Sequence, residues 1–168
     1  RISIIKKILS NKVEFYFSKN LLAELSAFLE KEVIGSEKMI NNAKILSDKL
    51  ISNGFKIFSG GTDTHLMLVD LREFNVTGKD VEASLVRANI TCNKNGIPFD
   101  TQSPMITSGI RLGTPACTTR GFGPKEFSLI ADLISKVIKG LSQNSENNSK
   151  IEKEVQKEVI DLCSHYPI

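Results

Sequence analysis

The chain has 168 residues, of which 40% are hydrophobic and 24% are charged, a composition that excludes collagen, a coiled-coil rod and an intrinsically disordered chain. Its net charge is only +3 and its aromatic content is 7%, without Trp, so it lacks the basic, aromatic-rich pattern of a nucleic-acid binder. No apolar run approaches the roughly 20 residues that cross a bilayer. Three widely spaced cysteines and two histidines argue against a zinc site or a disulfide framework, and a reducing cytoplasm is the expected setting.

The amino-terminal segment, residues 1–34, contains two different patterns of apolar residues. Residues 1–17 mix two periods, because their isoleucines suit one face of a helix whereas the apolar residues of 13–17 alternate as in a strand, and both alternatives stay open. From Ser18, a good N-cap, apolar residues at helical spacing predict an amphipathic helix that runs to about Glu32. Gly35 then breaks the chain.

A second helix is predicted to begin at Ser36 and to end at Gly54, which supplies the left-handed position after its last turn. The residues on its inward face are Ile40, Ala43, Leu46, Leu50 and Ile51. After Gly54 the hydrophobic period changes from about 3.6 to about 2 residues. A turn at Gly60 and Gly61 then leads into an apolar strand over 65–71, which we expect to be buried on both faces.

The middle of the chain alternates helix and strand. Thr77 is the predicted N-cap of a helix over residues 78–89, which leads into a second buried strand at 90–92. This succession predicts an α/β layer. Residues 93–108 contain two prolines, a glycine and many polar side chains, and they predict an ordered loop whose length is typical of a functional segment.

The carboxyl-terminal third predicts one short strand and two helices. The strand covers 109–112. The following helix is predicted to begin after the glycines and the proline of 121–124 and to end at Gly140, its C-cap. Its core side carries Phe127, Ile130, Ala131, Ile134, Val137 and Ile138. Residues 142–149 are polar and predict a linker, and the last helix runs over about 150–164. Its inward residues are Ile151, Val155, Val159 and Leu162.

The strongest candidate for chemistry is Arg111, which lies between Gly109 and Gly113 in the predicted third strand. Because an unpaired guanidinium is costly to bury, Arg111 must either pair with an acid of the chain, such as Asp100 or Asp70, or bind an anionic ligand. The planar fork of an arginine suits a carboxylate held by two parallel hydrogen bonds. The flanking glycines allow a ligand to approach the backbone closely.

Five other polar residues each have a functional and a structural interpretation. Asn93, Lys94 and Asn95 can donate hydrogen bonds to a polar ligand, or they can be ordinary loop residues. His65 lies beside Asp63 and can act with it as a general base, or it can be a neutral imidazole bonded to the turn.

Common catalytic motifs do not occur in the sequence. There is no Walker loop, no G-x-G-x-x-G, no H-E-x-x-H and no G-x-S-x-G. The segment GFGP at 121–124 is interpreted as the start of a helix rather than as a phosphate loop, and His165 as a residue of a helix terminus.

Three ordered blocks of the chain together resemble serine hydroxymethyltransferase. The blocks are SGGTDTHLMLVDL at 59–71, LVRANITCNKNGIPFD at 85–100 and SPMITSGIRLGTPACTTRGFG at 103–123. The resemblance spans about 41–168 and implies the small carboxyl-terminal domain of a fold-type I pyridoxal-phosphate-dependent transferase, a small mixed or antiparallel sheet packed against helices. On this basis residues 39–168 form that domain, and residues 1–38 form a diverged helical extension or interdomain junction.

The resemblance implies a function and a set of site residues. The family interconverts serine and glycine with pyridoxal phosphate and passes the one-carbon unit to tetrahydrofolate. Arg111 matches the family's arginine that binds the substrate carboxylate. Asn95, Ser103, Pro104 and Met105 match the segment that contacts folate, although Met105 stands where the family usually has Phe.

The same resemblance implies that part of the active site comes from elsewhere. The family's cofactor lysine lies in a Thr-rich motif before a Gly-rich turn, and no lysine of this sequence has that context. The chain is therefore expected to be inactive alone and to lack catalytic and metal-binding residues of its own. A large domain or a second subunit is expected to complete the active site. The intact protein is expected to be a cytoplasmic homodimer. The alternative is a stand-alone binding module that keeps the fold without catalysis and uses residues 1–38 for docking.

Overall fold

The computed structural model describes residues 37–144 and 147–167. The mixed-period segment 1–17, the helix predicted from Ser18 and the docking surface predicted for 1–38 lie wholly or almost wholly outside the described residues. The helices are α1 (37–52), α2 (Gly78–Arg87), α3 (Pro115–Thr119), α4 (Pro124–Gln143) and α5 (Ser149–Ser164). The strands are β1 (Lys56–Ile57), β2 (Leu66–Asp70), β3 (Asn93–Asn95) and β4 (Gly109–Gly113), and 3₁₀ turns occupy Phe58–Gly60 and Arg72–Phe74.

The four strands form one sheet in the order β1-β2-β4-β3, with every neighbouring pair antiparallel. Arg111 lies opposite Leu68 of β2 on one side and opposite Asn93 of β3 on the other. Since directly opposed residues of antiparallel strands project to the same face, these three side chains share a face. The predicted α/β class with a small antiparallel sheet is confirmed.

Helices cover one face of this sheet. Met67 and Val69 of β2 and Ile110 and Leu112 of β4 are all buried in the core that the helices complete, whereas Leu66 and Arg111 are exposed. Helix α2 packs against β3, β4, α4 and α5. The prediction that the β2 segment is buried on both faces is wrong, because an antiparallel sheet needs to cover only one of its faces.

The predicted helical stripes are largely confirmed. Ala43, Leu46 and Leu50 of α1 are buried, but Ile51 is 40% exposed and lies outside the stripe. In α4 the predicted residues Phe127, Ala131, Ile134, Val137 and Ile138 are buried and Ile130 is partly buried. In α5, Val155 and Val159 are buried.

The predicted end of the first helix and the predicted start of the second are also confirmed, whereas the second helix ends at Arg87 rather than at residue 89 and the start predicted at Ser36 lies outside the described residues. Gly54 follows α1 with φ of +92°, a backbone conformation that suits glycine. Thr77 precedes α2 in extended conformation, and its hydroxyl accepts a 3.1 Å hydrogen bond from the Asp80 N–H.

Two predictions about element positions are wrong. The second strand was expected at 90–92, but β3 begins at Asn93, where the chain reaches the backbone of β4. Gly140 was expected to cap α4, yet the helix continues to Gln143 and Gly140 is buried within it. A Cβ at this position would collide with Ile151 and Asn148, so the glycine allows α4 and the start of α5 to approach closely.

The segment 142–149 is not a simple linker, because Asn148 is only 6% exposed. Its amide nitrogen donates to Ser84 Oγ (3.1 Å) and to the Val137 carbonyl (3.0 Å). The buried Glu152 accepts hydrogen bonds from Ser84 (2.6 Å) and from Arg87 (2.7 Å). This polar cluster joins α2, α4 and α5 inside the helical layer.

We expect Gly78→Ala to destabilise the chain by about 1–3 kcal/mol, because a Cβ there would collide with Thr107 Oγ1 and with the Gly109 carbonyl oxygen. In Gly96→Ala the new Cβ would meet only Asp100, at 3.9 Å, so that this control should change stability by less than about 0.5 kcal/mol. Chemical denaturation of both variants measures the difference, and equal midpoints would contradict the close approach of α2 to β4.

We expect Glu152→Gln to lower stability at neutral pH by about 1–3 kcal/mol, because it weakens the charge-assisted bonds to Arg87. The hydrogen bond from Arg87 lowers the pKa of Glu152, against the opposing effect of burial. A depressed folded-state pKa stabilises the fold above the unfolded pKa of about 4.3, and this contribution is lost as the pH falls further.

The difference between wild type and Glu152→Gln should therefore shrink below about pH 4. Unfolding curves at several pH values measure it. Glu158→Gln is the matched control, because Glu158 forms only a surface ion pair with Lys136 at 3.1 Å. A pH-independent difference would contradict the role of the Glu152 charge.

Candidate functional site

Arg111 projects from the centre of β4 onto the open face of the sheet. Its neighbours Ile110 and Leu112 point into the core, and the alternation along the strand places the guanidinium on the opposite side. Its Nε donates to Asn93 Oδ1 at 3.2 Å. Arg111 is thus exposed rather than buried within an apolar strand.

The acids proposed as internal partners of Arg111 are engaged elsewhere. Asp70 forms an ion pair with Arg72 (2.6 Å) and lies 4.0 Å from Lys56. Asp100 accepts hydrogen bonds within its own loop. None of the ion pairs formed among residues 37–144 and 147–167 includes Arg111. Arg111 lines a cavity, and its guanidinium forms no ion pair with a carboxylate of the described part of the chain.

The cavity has a volume of about 830 Å³ and lies over the open face of the sheet. Strand β2, Arg111 and Asn95 line it on one side, and residues of the turn 58–64 line it on the other. This volume falls in the usual range for small-molecule sites. The cavity lining joins the Arg111 cation and the Asp63 carboxylate to apolar strand residues and the hydroxyls of the turn, and no ion pair links Asp63 to Arg111.

Threonine side chains hold this turn. Thr62 Oγ1 donates to the Leu66 carbonyl (2.5 Å) and accepts from the Thr64 N–H (3.1 Å). His65 is exposed and takes part through its backbone carbonyl, which accepts from the Thr114 N–H (3.2 Å). No hydrogen bond or ion pair joins Asp63 to His65 in the described structure, so the predicted general-base pair is not assembled. The expected imidazole bond to the turn is replaced by the threonine hydroxyls.

Asp100 organises the loop 96–108 beside the cavity. Its carboxylate accepts from the backbone N–H groups of Ile97 (3.2 Å), Gln102 (2.9 Å) and Ser108 (2.8 Å), and from Ser108 Oγ (2.7 Å). Burial raises the pKa of Asp100, but these hydrogen bonds outweigh it and hold the pKa well below the usual range. The preceding Phe99 has φ of +59° and is 95% exposed, a strained conformation that the Asp100 bonds help to maintain.

The residues predicted to contact folate are divided between two surfaces. A second cavity of about 540 Å³ adjoins the first, and Asn95, Ser103 and Pro104 line it. Asn95 lines both cavities and therefore connects them. Met105 does not line either cavity and is 73% exposed.

The predicted donor group of Asn93, Lys94 and Asn95 is also divided, because β3 alternates its side chains. Asn93 lies on the Arg111 face, and Asn95 lines the cavity there. Lys94 points to the helical layer, where its Nζ lies 3.4 Å from Glu82. The contact between Asn93 and Arg111 was not predicted, because it becomes visible only once the strand and its register are known.

Comparisons with known proteins show the family of the chain. The family described as serine hydroxymethyltransferase matches residues 26–134. The chain is 68% identical over 132 residues to the serine hydroxymethyltransferase of Pelagibacter ubique, covering 79% of this chain and 30% of that protein. It is 55% identical over 133 residues to that of Paramagnetospirillum magneticum, covering 79% of this chain and 31% of that protein. The chain belongs to the serine hydroxymethyltransferase family.

The chain aligns with about 30% of the length of these serine hydroxymethyltransferases. The family match begins at residue 26, ahead of the domain boundary predicted at residue 39, and that boundary stays a prediction. Among the described helices, none has both the length and the apolar composition to span a membrane. Nor do the described residues include a cluster of three or more His, Cys, Asp or Glu side chains suited to a metal ion.

The described residues do not form a complete binding site for pyridoxal phosphate, the cofactor implied for a serine hydroxymethyltransferase. No lysine lines the cavity around Arg111, although the cofactor aldehyde needs a primary amine. Lys94 lines the adjoining cavity but is paired with Glu82. The described cavity linings thus offer a guanidinium that can bind a carboxylate, but no unpaired lysine for the cofactor aldehyde.

The three cysteines are free thiols and do not supply a nucleophile to this site. Burial raises the pKa of Cys92 to about 12, with a further contribution from Glu82, and burial also raises the pKa of Cys117. A thiol with a raised pKa is almost wholly protonated at neutral pH and is a weak nucleophile.

We expect Asp100→Asn to destabilise the chain by about 1–3 kcal/mol at neutral pH, because an amide cannot accept all four hydrogen bonds. The lowered pKa of Asp100 predicts that the stabilisation is present above about pH 4 and is lost as the pH falls. Unfolding curves at neutral and acidic pH, with hydrogen exchange at Gln102 and Ser108, measure the change. Asp161→Asn, at an exposed position of α5, is the control. Equal effects of the two variants on stability would contradict the role of Asp100 in holding the loop.

Proposed function

We propose that this chain forms the substrate- and folate-binding part of a serine hydroxymethyltransferase, which interconverts serine and glycine with tetrahydrofolate as the one-carbon acceptor. The observation that carries the proposal is the guanidinium of Arg111. It faces a cavity of about 830 Å³ and is paired with no described carboxylate. The carboxylate of serine or glycine satisfies this cation.

Arg111 binds and orients the amino acid. Its end nitrogens can hold the two carboxylate oxygens by parallel hydrogen bonds, a geometry that Lys cannot reproduce. Leu66 and Leu68 border the same cavity and lower its polarity, which strengthens the pairing. Fixing the carboxylate leaves the amino group and the side chain of the substrate directed away from β4, toward the reacting centre.

Folate is assigned to the adjoining cavity. Asn95 lines both cavities, and Ser103 and Pro104 form part of the wall of the second cavity. The amide of Asn95 can meet the polar groups of tetrahydrofolate while the amino acid is bound at Arg111. Met105 is a peripheral folate contact in this proposal, since its side chain lies outside both linings.

Pyridoxal phosphate supplies the electron sink for this chemistry when it is bound. In our proposal it is held by a large domain or a second subunit, in a protein that is a homodimer when intact. The three free thiols support a cytoplasmic location, because disulfides are rare in that reducing compartment. Neither nucleic acid nor a membrane is a proposed partner.

A chimera tests the proposal. The matched segment of this chain would replace its counterpart in the Pelagibacter ubique enzyme, to which it is 68% identical. We expect the chimera to transfer the hydroxymethyl group from serine to tetrahydrofolate. Arg111→Ala should raise the KM for serine roughly 30-fold or more, since removing one partner of a hydrogen-bonded charge pair costs about 2 kcal/mol or more.

Two controls make this result decisive. Lys157→Ala removes an exposed positive charge on α5 and should leave the KM unchanged. Circular dichroism verifies that each variant is folded. A folded chimera without activity would overturn the proposal and favour a binding module without catalysis. An active chimera in which Arg111→Ala matches Lys157→Ala would overturn the assignment of Arg111 to the substrate carboxylate.

A further inference from the structure

We propose that Asn93 is a positioning residue for Arg111, which fixes the guanidinium so that both end nitrogens face the substrate carboxylate. The inference rests on the proposed function, because it concerns how the same cavity recognises an amino acid. Asn93 lies directly opposite Arg111 in the β3–β4 ladder. Its Oδ1 accepts the Arg111 Nε–H at 3.2 Å.

The orientation of the Asn93 amide is set by a second hydrogen bond. Its Nδ2 donates to the Lys94 carbonyl at 3.1 Å. An amide nitrogen cannot accept a hydrogen bond from the arginine, so this donation directs the oxygen toward Arg111. Asn93 therefore presents an acceptor to the guanidinium in a fixed position.

The short strand β3 is itself anchored to helix α2 through Glu82. One oxygen of Glu82 accepts from the Lys94 backbone N–H at 3.0 Å, and the other lies 3.4 Å from Lys94 Nζ. A two-point attachment holds the residue next to Asn93, although β3 is an edge strand of only three residues. The path from α2 to Arg111 is thus continuous through Glu82, Lys94 and Asn93.

The use of Nε determines which donors remain for a ligand. A guanidinium has five N–H donors, one on Nε and two on each end nitrogen. When Asn93 takes the Nε–H, a carboxylate meets the end nitrogens, where it can form two parallel bonds. Without Asn93 the arginine can also present its Nε edge, so the carboxylate would no longer have one preferred position.

The lack of charge on the Asn93 side chain is as important for ligand binding as its acceptor oxygen. Its carbonyl oxygen orients Arg111 without neutralising the positive charge that attracts the substrate. A carboxylate at the same place would form an internal ion pair and compete with the ligand. The chemistry therefore predicts that Asn93→Asp is more harmful to binding than Asn93→Ala, although Asp is closer in size to Asn.

The test compares glycine with glycinamide, which lacks the carboxylate, in the cofactor-loaded chimera. The readout is the ratio of the two dissociation constants, because a general loss of structure would weaken both ligands alike. We expect wild type to favour glycine, Asn93→Asp to lose this preference by about tenfold or more, and Asn93→Ala to lose it by several-fold. Asn41→Asp and Asn41→Ala, on the exposed side of α1, are the matched controls and should keep the wild-type ratio.

A second measurement uses the 168-residue chain without cofactor. The Nε–H signal of Arg111 in a nitrogen-15 NMR spectrum is assigned by its loss in Arg111→Lys. In Asn93→Ala this proton should exchange with water about fivefold faster or more, because its acceptor is gone.

The outcomes separate the two proposals. A wild-type chimera that binds glycine and glycinamide equally would overturn the proposed function of Arg111, and the positioning role would fall with it. If wild type prefers glycine but Asn93→Asp retains that preference, the positioning role alone is wrong. An unchanged Nε–H exchange rate in Asn93→Ala would also overturn it, whatever the binding result.

Discussion

The alternation of side chains along β4 is the constraint on which the whole site depends. Ile110 and Leu112 are buried among the helices, while Arg111 between them points to the opposite face. Each buried side chain contributes about 1.5–3 kcal/mol to stability, so these two residues hold the register of the strand. A slip by one residue would place the guanidinium in the core and both apolar side chains in the cavity, and it is therefore strongly disfavoured.

The charges around Arg111 explain why its cation is available to a ligand. Asp70 and Asp100, the two acids considered as internal partners of Arg111, each have partners of their own. Asp70 is satisfied at the end of β2 by Arg72, and Asp100 by backbone amides of its loop. Asn93 adds orientation without charge. In this arrangement the same hydrogen bonds that stabilise the loops also keep Asp70 and Asp100 from pairing with Arg111.

The elements that were predicted well are those whose signal is local. The stripes of α1, α4 and α5, the Thr77 cap and the left-handed Gly54 depend on residues within a few positions of one another. The errors concern long-range packing. Gly140 looks like a terminator but is a helix-packing position, and Asn148 looks like a linker residue but bonds to Ser84, 64 positions away. No local pattern distinguishes these alternatives, because the deciding partner is distant in sequence.

By itself the sequence determined the α/β class, most of the helices and the family, and it singled out Arg111 as the leading candidate for the site, because hydrophobic periodicity and motif order are linear properties. Only the tertiary structure decided that β2 is covered on one face, that Arg111 has no described acid partner, and that Asn93 and Asn95 separate from Lys94. It also placed Met105 away from the cavities. The physical reason is strand register, which brings together residues far apart in the chain and assigns each side chain to a face.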